Sequence, residues 1–186
     1  MPPDYASVAN RDLPAPLGGD QVTTQPPLVA AMVEALELTG EECVLEVATG
    51  LGYRGVGRLA REVWSVERRP DLAAAATADL AAEGAGNVHV IVADGSEGVG
   101  PCAPYEAIVV AAAHPLVPPP LAAQLAPGGR PVQLIRPSGA EDVTLFRRRA
   151  GRLVRERVVI GASFVPLYGR HRFASSLEDE DPGHGR

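Results

Sequence analysis

Between Cys43 and Ile135, short apolar runs alternate with segments of helical periodicity, and glycine, proline or an acidic residue marks most of the change-overs. Such a chain is restricted to a mostly parallel sheet with helices on both faces, joined by right-handed crossovers. Cys43-Val47, Val63-Val66, Val88-Val92, Ala107-Val110 and Pro131-Ile135 read as strands, with Pro131 expected at the start of the last. Gly55-Arg61, Pro70-Ala82 and Pro118-Leu125 read as the intervening helices. An earlier helix starts at Pro26-Pro27, carries Val29, Met32, Val33 and Leu36 on one face, and should end near Gly40. Val143-Arg148 and Leu153-Ile160 flank Ala150-Gly151, which predicts a closing antiparallel hairpin.

At 186 residues and 46% hydrophobic, the chain fits one domain, expected over residues 1–174. Residues 1–26 lack apolar periodicity and should be irregular, able to order over a ligand. The tail 175–186, with Glu178-Asp179-Glu180-Asp181, has the composition of a disordered acidic end. A net charge of -6 disfavours nucleic acid as a partner, since phosphate tracking needs a dominant basic surface. All 17 basic residues are Arg, and the cluster from Arg147 to Arg157 falls on the hairpin, where charge guards a sheet edge. With no signal peptide and no apolar run of about 20 residues, the chain reads as soluble, cytoplasmic and without a membrane partner. Cys43 and Cys102 lack metal-ligand spacing and are too few for a disulfide framework, so reduced thiols are expected.

In this architecture ligands bind beyond the carboxyl ends of the strands. The first strand runs into Glu46-Val47-Ala48-Thr49-Gly50-Leu51-Gly52-Tyr53, whose small residues let backbone approach a ligand closely. Glycine-rich turns also arise for packing alone. The second strand ends at Glu67, 19 residues after Ala48, close to the roughly 20-residue offset at which a carboxylate reaches ribose hydroxyls. Its alternative is an exposed acid paired with Arg68 or Arg69. The third ends at Asp94-Gly95, where a carboxylate can accept from an adenine amino group and an N–H can reach a ring nitrogen; a plain β-turn is the alternative.

Three strand ends in order are more specific than any one of them. A Gly-x-x-x-x-Gly-Lys-Ser/Thr loop is absent and the Gly-x-Gly-x-x-Gly pattern is incomplete, so adenosine on a sulfonium, which needs no phosphate cradle, suits the site better than a dinucleotide. S-adenosyl-L-methionine is the expected cofactor, with no metal.

With these motifs the sequence resembles the protein-L-isoaspartate O-methyltransferases over about Tyr5 to Gly169. The likeness rests on Asn10-Arg11-Asp12-Leu13-Pro14, Gln21-Val22-Thr23-Thr24-Gln25-Pro26, the Val44-Tyr53 loop, Val66-Glu67-Arg68 and Asp94-Gly95. It continues through Ala103 to Ala113, Gln124 to Arg130 and Phe164-Val165-Pro166-Leu167. The resemblance implies a doubly wound, Rossmann-like methyltransferase fold and a front helix that this sequence begins after. It implies methylation of the α-carboxyl of L-isoaspartyl residues in a peptide or protein acceptor. It places Val22, Thr23, Thr24, Glu46, Ala48, Thr49, Gly50, Gly52, Glu67, Arg68, Asp94, Gly95 and Ala111 around the cofactor, with the Thr24 hydroxyl facing the reacting carboxylate. Ala48 stands where the family has Gly, and Leu51 where it has a small residue.

Thr24 could instead cap the following helix. His114 is the nearest base, with a loop-surface position as its plainer reading. Two rival functions share the cofactor half: a tailoring methyltransferase for a small molecule or biosynthetic peptide, and an inactive cofactor-binding domain.

Overall fold

The computed structural model describes residues 16–18, 21–22, 25–49, 54–100, 102–136, 141–162 and 166–171. In chain order the elements are β1 (Pro16–Gly18), β2 (Gln21–Val22), α1 (Pro26–Ala35), β3 (Cys43–Val47), α2 (Arg54–Leu59), β4 (Glu62–Glu67) and α3 (Pro70–Ala82). They continue with β5 (Val88–Val92), β6 (Tyr105–His114), α4 (Pro119–Ala123), β7 (Leu125–Ile135), β8 (Asp142–Arg149) and β9 (Arg152–Gly161).

β3 is buried at every position, as an apolar strand flanked on both sides must be. The chain steps outward from it through β4 to β5, then returns to its other side with β6, giving the order β5-β4-β3-β6-β7-β8-β9. Pairing is parallel from β5 to β7 and antiparallel from β7 to β9. Strand order thus reverses beside β3, and the crevice for a ligand lies beyond the carboxyl ends of β3 and β6. One core layer joins Leu28, Met32, Val56, Val109, Leu134 and Leu145; the other joins Leu45, Val66, Ile108, Leu121, Leu125 and Leu167.

Several expectations change. The opening stretch is not wholly irregular, because β1 and β2 pair antiparallel. α1 stops at Ala35, short of Gly40, and Glu37 follows its C-cap in the left-handed region with φ 50°. Pro131 lies within β7 instead of opening it, but β8 pairs only from Val132 onward, so the proline precedes the two-sided part of the strand. The hairpin turns at Ala150 and Gly151, both with positive φ, as a tight two-residue turn requires.

Its arginines divide. Arg149, Arg152, Arg155 and Arg157 are exposed and Arg147 and Arg148 half-buried; Arg147 and Arg149 share Glu156, and Arg148 donates to the Leu125 carbonyl.

The cysteines also depart from the expected free thiols. Cys43 and Cys102, 59 residues apart in sequence, form a disulfide with their Cα atoms 6.6 Å apart. Adjacency of β3 and β6 brings the two chain segments together, which no spacing rule could have announced. Among the described residues no helix is long and apolar enough to cross a membrane.

Candidate active site

Glu46, Glu67 and Asp94 occupy the carboxyl ends of three neighbouring strands, β3, β4 and β5. Just past β3, Ala48 has φ 68°, in the left-handed region that costs a residue with Cβ about 1–2 kcal/mol. A glycine there would be unstrained, which accounts for the residue expected at this place. The turn is held by the Ala48 N–H, which donates to the Val66 carbonyl at 2.9 Å.

A buried polar chain follows. Thr49 and Ser65 hydroxyls lie 2.6 Å apart, and the Ser65 hydroxyl donates to Glu46 Oε2. Ser65 sits directly across from Glu46 in the β3–β4 register, a relationship its neighbours Val63-Trp64-Ser65-Val66 give no sign of. Burial pushes the Glu46 carboxyl up to about 8 against the opposing effect of the Ser65 hydrogen bond, with the Glu67 charge adding to the rise. Glu46 is therefore mostly protonated at neutral pH. Its Oε1 has no hydrogen-bond partner among the described residues.

Glu67 is buried, with 6% exposure, and its Oε1 accepts the Arg69 N–H at 3.0 Å. This overturns the exposed-acid alternative. The Arg68 guanidinium lies over the Tyr168 ring, 4.5 Å from its centroid.

Beyond β5, Asp94 Oδ1 accepts the Ser96 N–H at 2.9 Å and its hydroxyl at 2.7 Å, while Oδ2 accepts the Arg170 N–H at 2.6 Å. Partial burial raises the Asp94 pKa, but the hydrogen bonds from Ser96 and Arg170, with His171 nearby, bring it below the ordinary value. A carboxylate accepts at about four lone-pair positions, so three bonds leave capacity for a ligand donor. At Gly95 a Cβ would fall 2.5 Å from Val47 Cγ1; only glycine allows this loop to close on β3.

The segment Pro166 to His171 was not assigned a role by sequence reasoning. Its Leu167 N–H donates to the Ala113 carbonyl at the end of β6, Tyr168 meets Arg68 after β4, and Arg170 reaches Asp94 after β5. It crosses the carboxyl edge of the sheet, and its sequence signals are Pro166-Leu167, the end of the Phe164-Leu167 match, and the punctuation at Gly169. Ala111 is buried on β6. His114 is buried too, not a loop-surface residue; its Nδ1 lies 2.6 Å from the Leu116 carbonyl and pins its own turn.

Val22 belongs to β2, while Thr23, Thr24, Gly50, Leu51 and Gly52 lie outside the described residues. The cap of α1 is Gln25, without a side-chain bond, instead of Thr24.

The donor set fits an adenosyl group. Ribose hydroxyls and an adenine amino group are donors, and two acceptors, the buried Glu67 and the half-buried Asp94, stand at adjacent strand ends.

The model of the family described as protein-L-isoaspartate(D-aspartate) O-methyltransferase (PCMT) matches residues 1–172. A protein-L-isoaspartate O-methyltransferase of Methanoculleus marisnigri is 43% identical over 91% of this chain and 78% of its own length. One from Anaeromyxobacter dehalogenans is 48% identical over 88% of this chain and 80% of its own. A solved protein-L-isoaspartate O-methyltransferase superposes with a TM-score of 0.74 at 28% identity, over 86% of this chain and 53% of that one, so this chain spans about half of the solved protein. A Plasmodium falciparum structure in complex with S-adenosyl-L-homocysteine shares the fold, at TM-score 0.69 and 18% identity over 84% of this chain and 80% of that one. The match along nearly the whole chain, on a sheet with the same topology, shows that this protein belongs to the protein-L-isoaspartate(D-aspartate) O-methyltransferase family.

Proposed function

We infer that this chain transfers a methyl group from S-adenosyl-L-methionine to the α-carboxyl of L-isoaspartyl residues in cytoplasmic peptides or proteins. The observation that carries the reading is the continuous family match over residues 1–172, which includes Thr23-Thr24-Gln25-Pro26. When bound, the cofactor supplies an electrophilic methyl on a positively charged sulfur.

Each residue's task follows from its chemistry. Glu67 accepts the ribose hydroxyls, Asp94 accepts from the adenine amino group, and the Gly95 N–H donates to the ring. Ala48, Thr49 and the loop through Gly52 keep the backbone close to the rest of the cofactor. A carboxylate acceptor with a pKa of about 4 is ionised at pH 7 and needs no base. Alignment is what remains to be supplied: the reacting oxygen must be held about 3–3.5 Å from the methyl carbon, with water excluded. Thr24 orients that carboxylate through its hydroxyl. His114, tied to the Leu116 backbone, has no proton to move in this reaction.

The test is transfer of a labelled methyl group to an isoaspartyl peptide beside its normal aspartyl twin, scored as a base-labile ester. Only the isoaspartyl peptide should be labelled. Thr24→Ala should slow transfer about 10- to 100-fold, the equivalent of one hydrogen bond to a charged group. Binding of the cofactor without transfer to either peptide would point instead to a tailoring enzyme with another acceptor.

A further inference from the structure

At the amino ends of the strands, opposite the candidate active site, three metal-ligating side chains meet on one sheet face, with His89 beside them. Cys43 opens β3, Glu62 opens β4 directly across from it, His89 lies on β5 across from Trp64, and Cys102 arrives from the loop before β6. The ligand atoms of Cys43, Glu62 and Cys102 all lie within 4.8 Å of one another. Cys102 Sγ is 3.6 Å from Glu62 Oε2, and the other oxygen, Oε1, is 3.0 Å from His89 Nε2. The His89 ring is held by stacking on Trp64, with centroids 4.6 Å apart.

Register and His89 place Glu62 here, and a cation would give the oxygen that lies against sulfur a partner of its own. Tetrahedral zinc, with bonds of about 2.3 Å to sulfur and about 2.0–2.2 Å to oxygen, separates those two ligands by roughly 3.5 Å, close to the spacing found. Two ligands, Cys43 and Glu62, are fixed by strand register, and the Cys102 loop is tied by the Tyr105 hydroxyl, which donates to the Val99 carbonyl at 2.8 Å.

We propose that Cys43, Cys102 and Glu62, the last oriented by His89, form a site for a thiophilic divalent cation, open when the cysteines are reduced and closed when they are joined as a disulfide. The two states are exclusive, because both use the same sulfurs. A dithiol reductant opens the site: it gives two electrons and two protons to the Cys43–Cys102 bond and itself becomes a disulfide. Zinc then displaces the two thiol protons, and the bound thiolates are withheld from reoxidation.

Cobalt(II) is the spectroscopic probe, and zinc its competitor. The full chain, reduced and kept free of oxygen, should bind one cobalt ion with sulfur-to-metal charge-transfer absorption and the visible bands of a tetrahedral centre. Zinc should abolish both. The oxidised chain should show neither. Cys102→Ser should lose the charge-transfer band of two thiolates. Glu62→Gln, which leaves both cysteines able to pair, should weaken cobalt binding by about tenfold or more while the disulfide still forms. Circular dichroism identifies the variants that keep the native fold. Absence of a thiolate–cobalt band in natively folded, reduced protein would overturn the proposal, as would unchanged cobalt affinity in folded Glu62→Gln.

Discussion

The Arg170 N–H donates to Asp94 Oδ2 at 2.6 Å, joining the last described segment of the chain to the end of β5. Gly169 makes this approach possible: its φ is 143°, and a Cβ there would overlap the Asp94 carboxylate. Gly169→Ala should therefore lift the segment from Asp94. A hydrogen bond to a charged acceptor contributes about 1.5–3 kcal/mol, so hydrogen exchange at the Arg170 amide should accelerate about 10- to 100-fold. Equal protection in the two proteins would show that the segment is held elsewhere. The Asp94 pKa is lowered from 3.8, so in the wild type this contribution is present above that value and fades as pH falls below it.

Glu67 is buried at the end of β4, and Arg68 beside it lies over the Tyr168 ring. Glu67→Ala should weaken S-adenosyl-L-methionine binding about 10- to 100-fold, the loss of one charged hydrogen bond. Calorimetry on the folded variant is the measurement. Wild-type affinity would reduce Glu67 to a structural acid that caps the Arg69 amide.

How far the sequence can be read depends on the range of the interaction. β3 and α3 were legible because a short, mostly apolar run and a proline-led amphipathic stretch are local signals, and both occupy the expected residues. Glu67 and Asp94-Gly95 could be placed because the end of a strand is itself a local event. Ser65 could not: only register puts it opposite Glu46, where a hydroxyl flanked by Trp64 and Val66 becomes the partner of a buried acid. The Cys43–Cys102 bond and the contact of Arg170 with Asp94 are longer-range still, spanning 59 and 76 residues. Nothing in their local sequence records the strand order that brings them together. His114 shows the reverse error, since a histidine after three alanines reads as a loop residue until β6 is seen to continue through it.

The acid beneath the site makes the protein's stability fall with rising pH. Glu46 has its pKa raised from 4.5 to about 8, first by burial, against the Ser65 hydrogen bond. Between those values the folded state binds a proton that the unfolded chain releases. The stabilisation is full below the unfolded value of 4.5 and is lost as pH rises through about 8. One proton corresponds to about 1.4 kcal/mol per pH unit, so the wild type should lose a few kcal/mol between pH 5 and pH 9 from this group. Glu46→Gln keeps the shape, still accepts from the Ser65 hydroxyl, and cannot ionise. Its unfolding free energy, measured in urea across the same pH range, should decline less than the wild type's by that amount. The two proteins should match most closely near pH 4.5 and below, diverge in the variant's favour as pH rises from there to about 8, and run parallel above that. Parallel pH profiles would mean that Glu46 is ionised in the folded protein, with a compensating charge or water beside its Oε1.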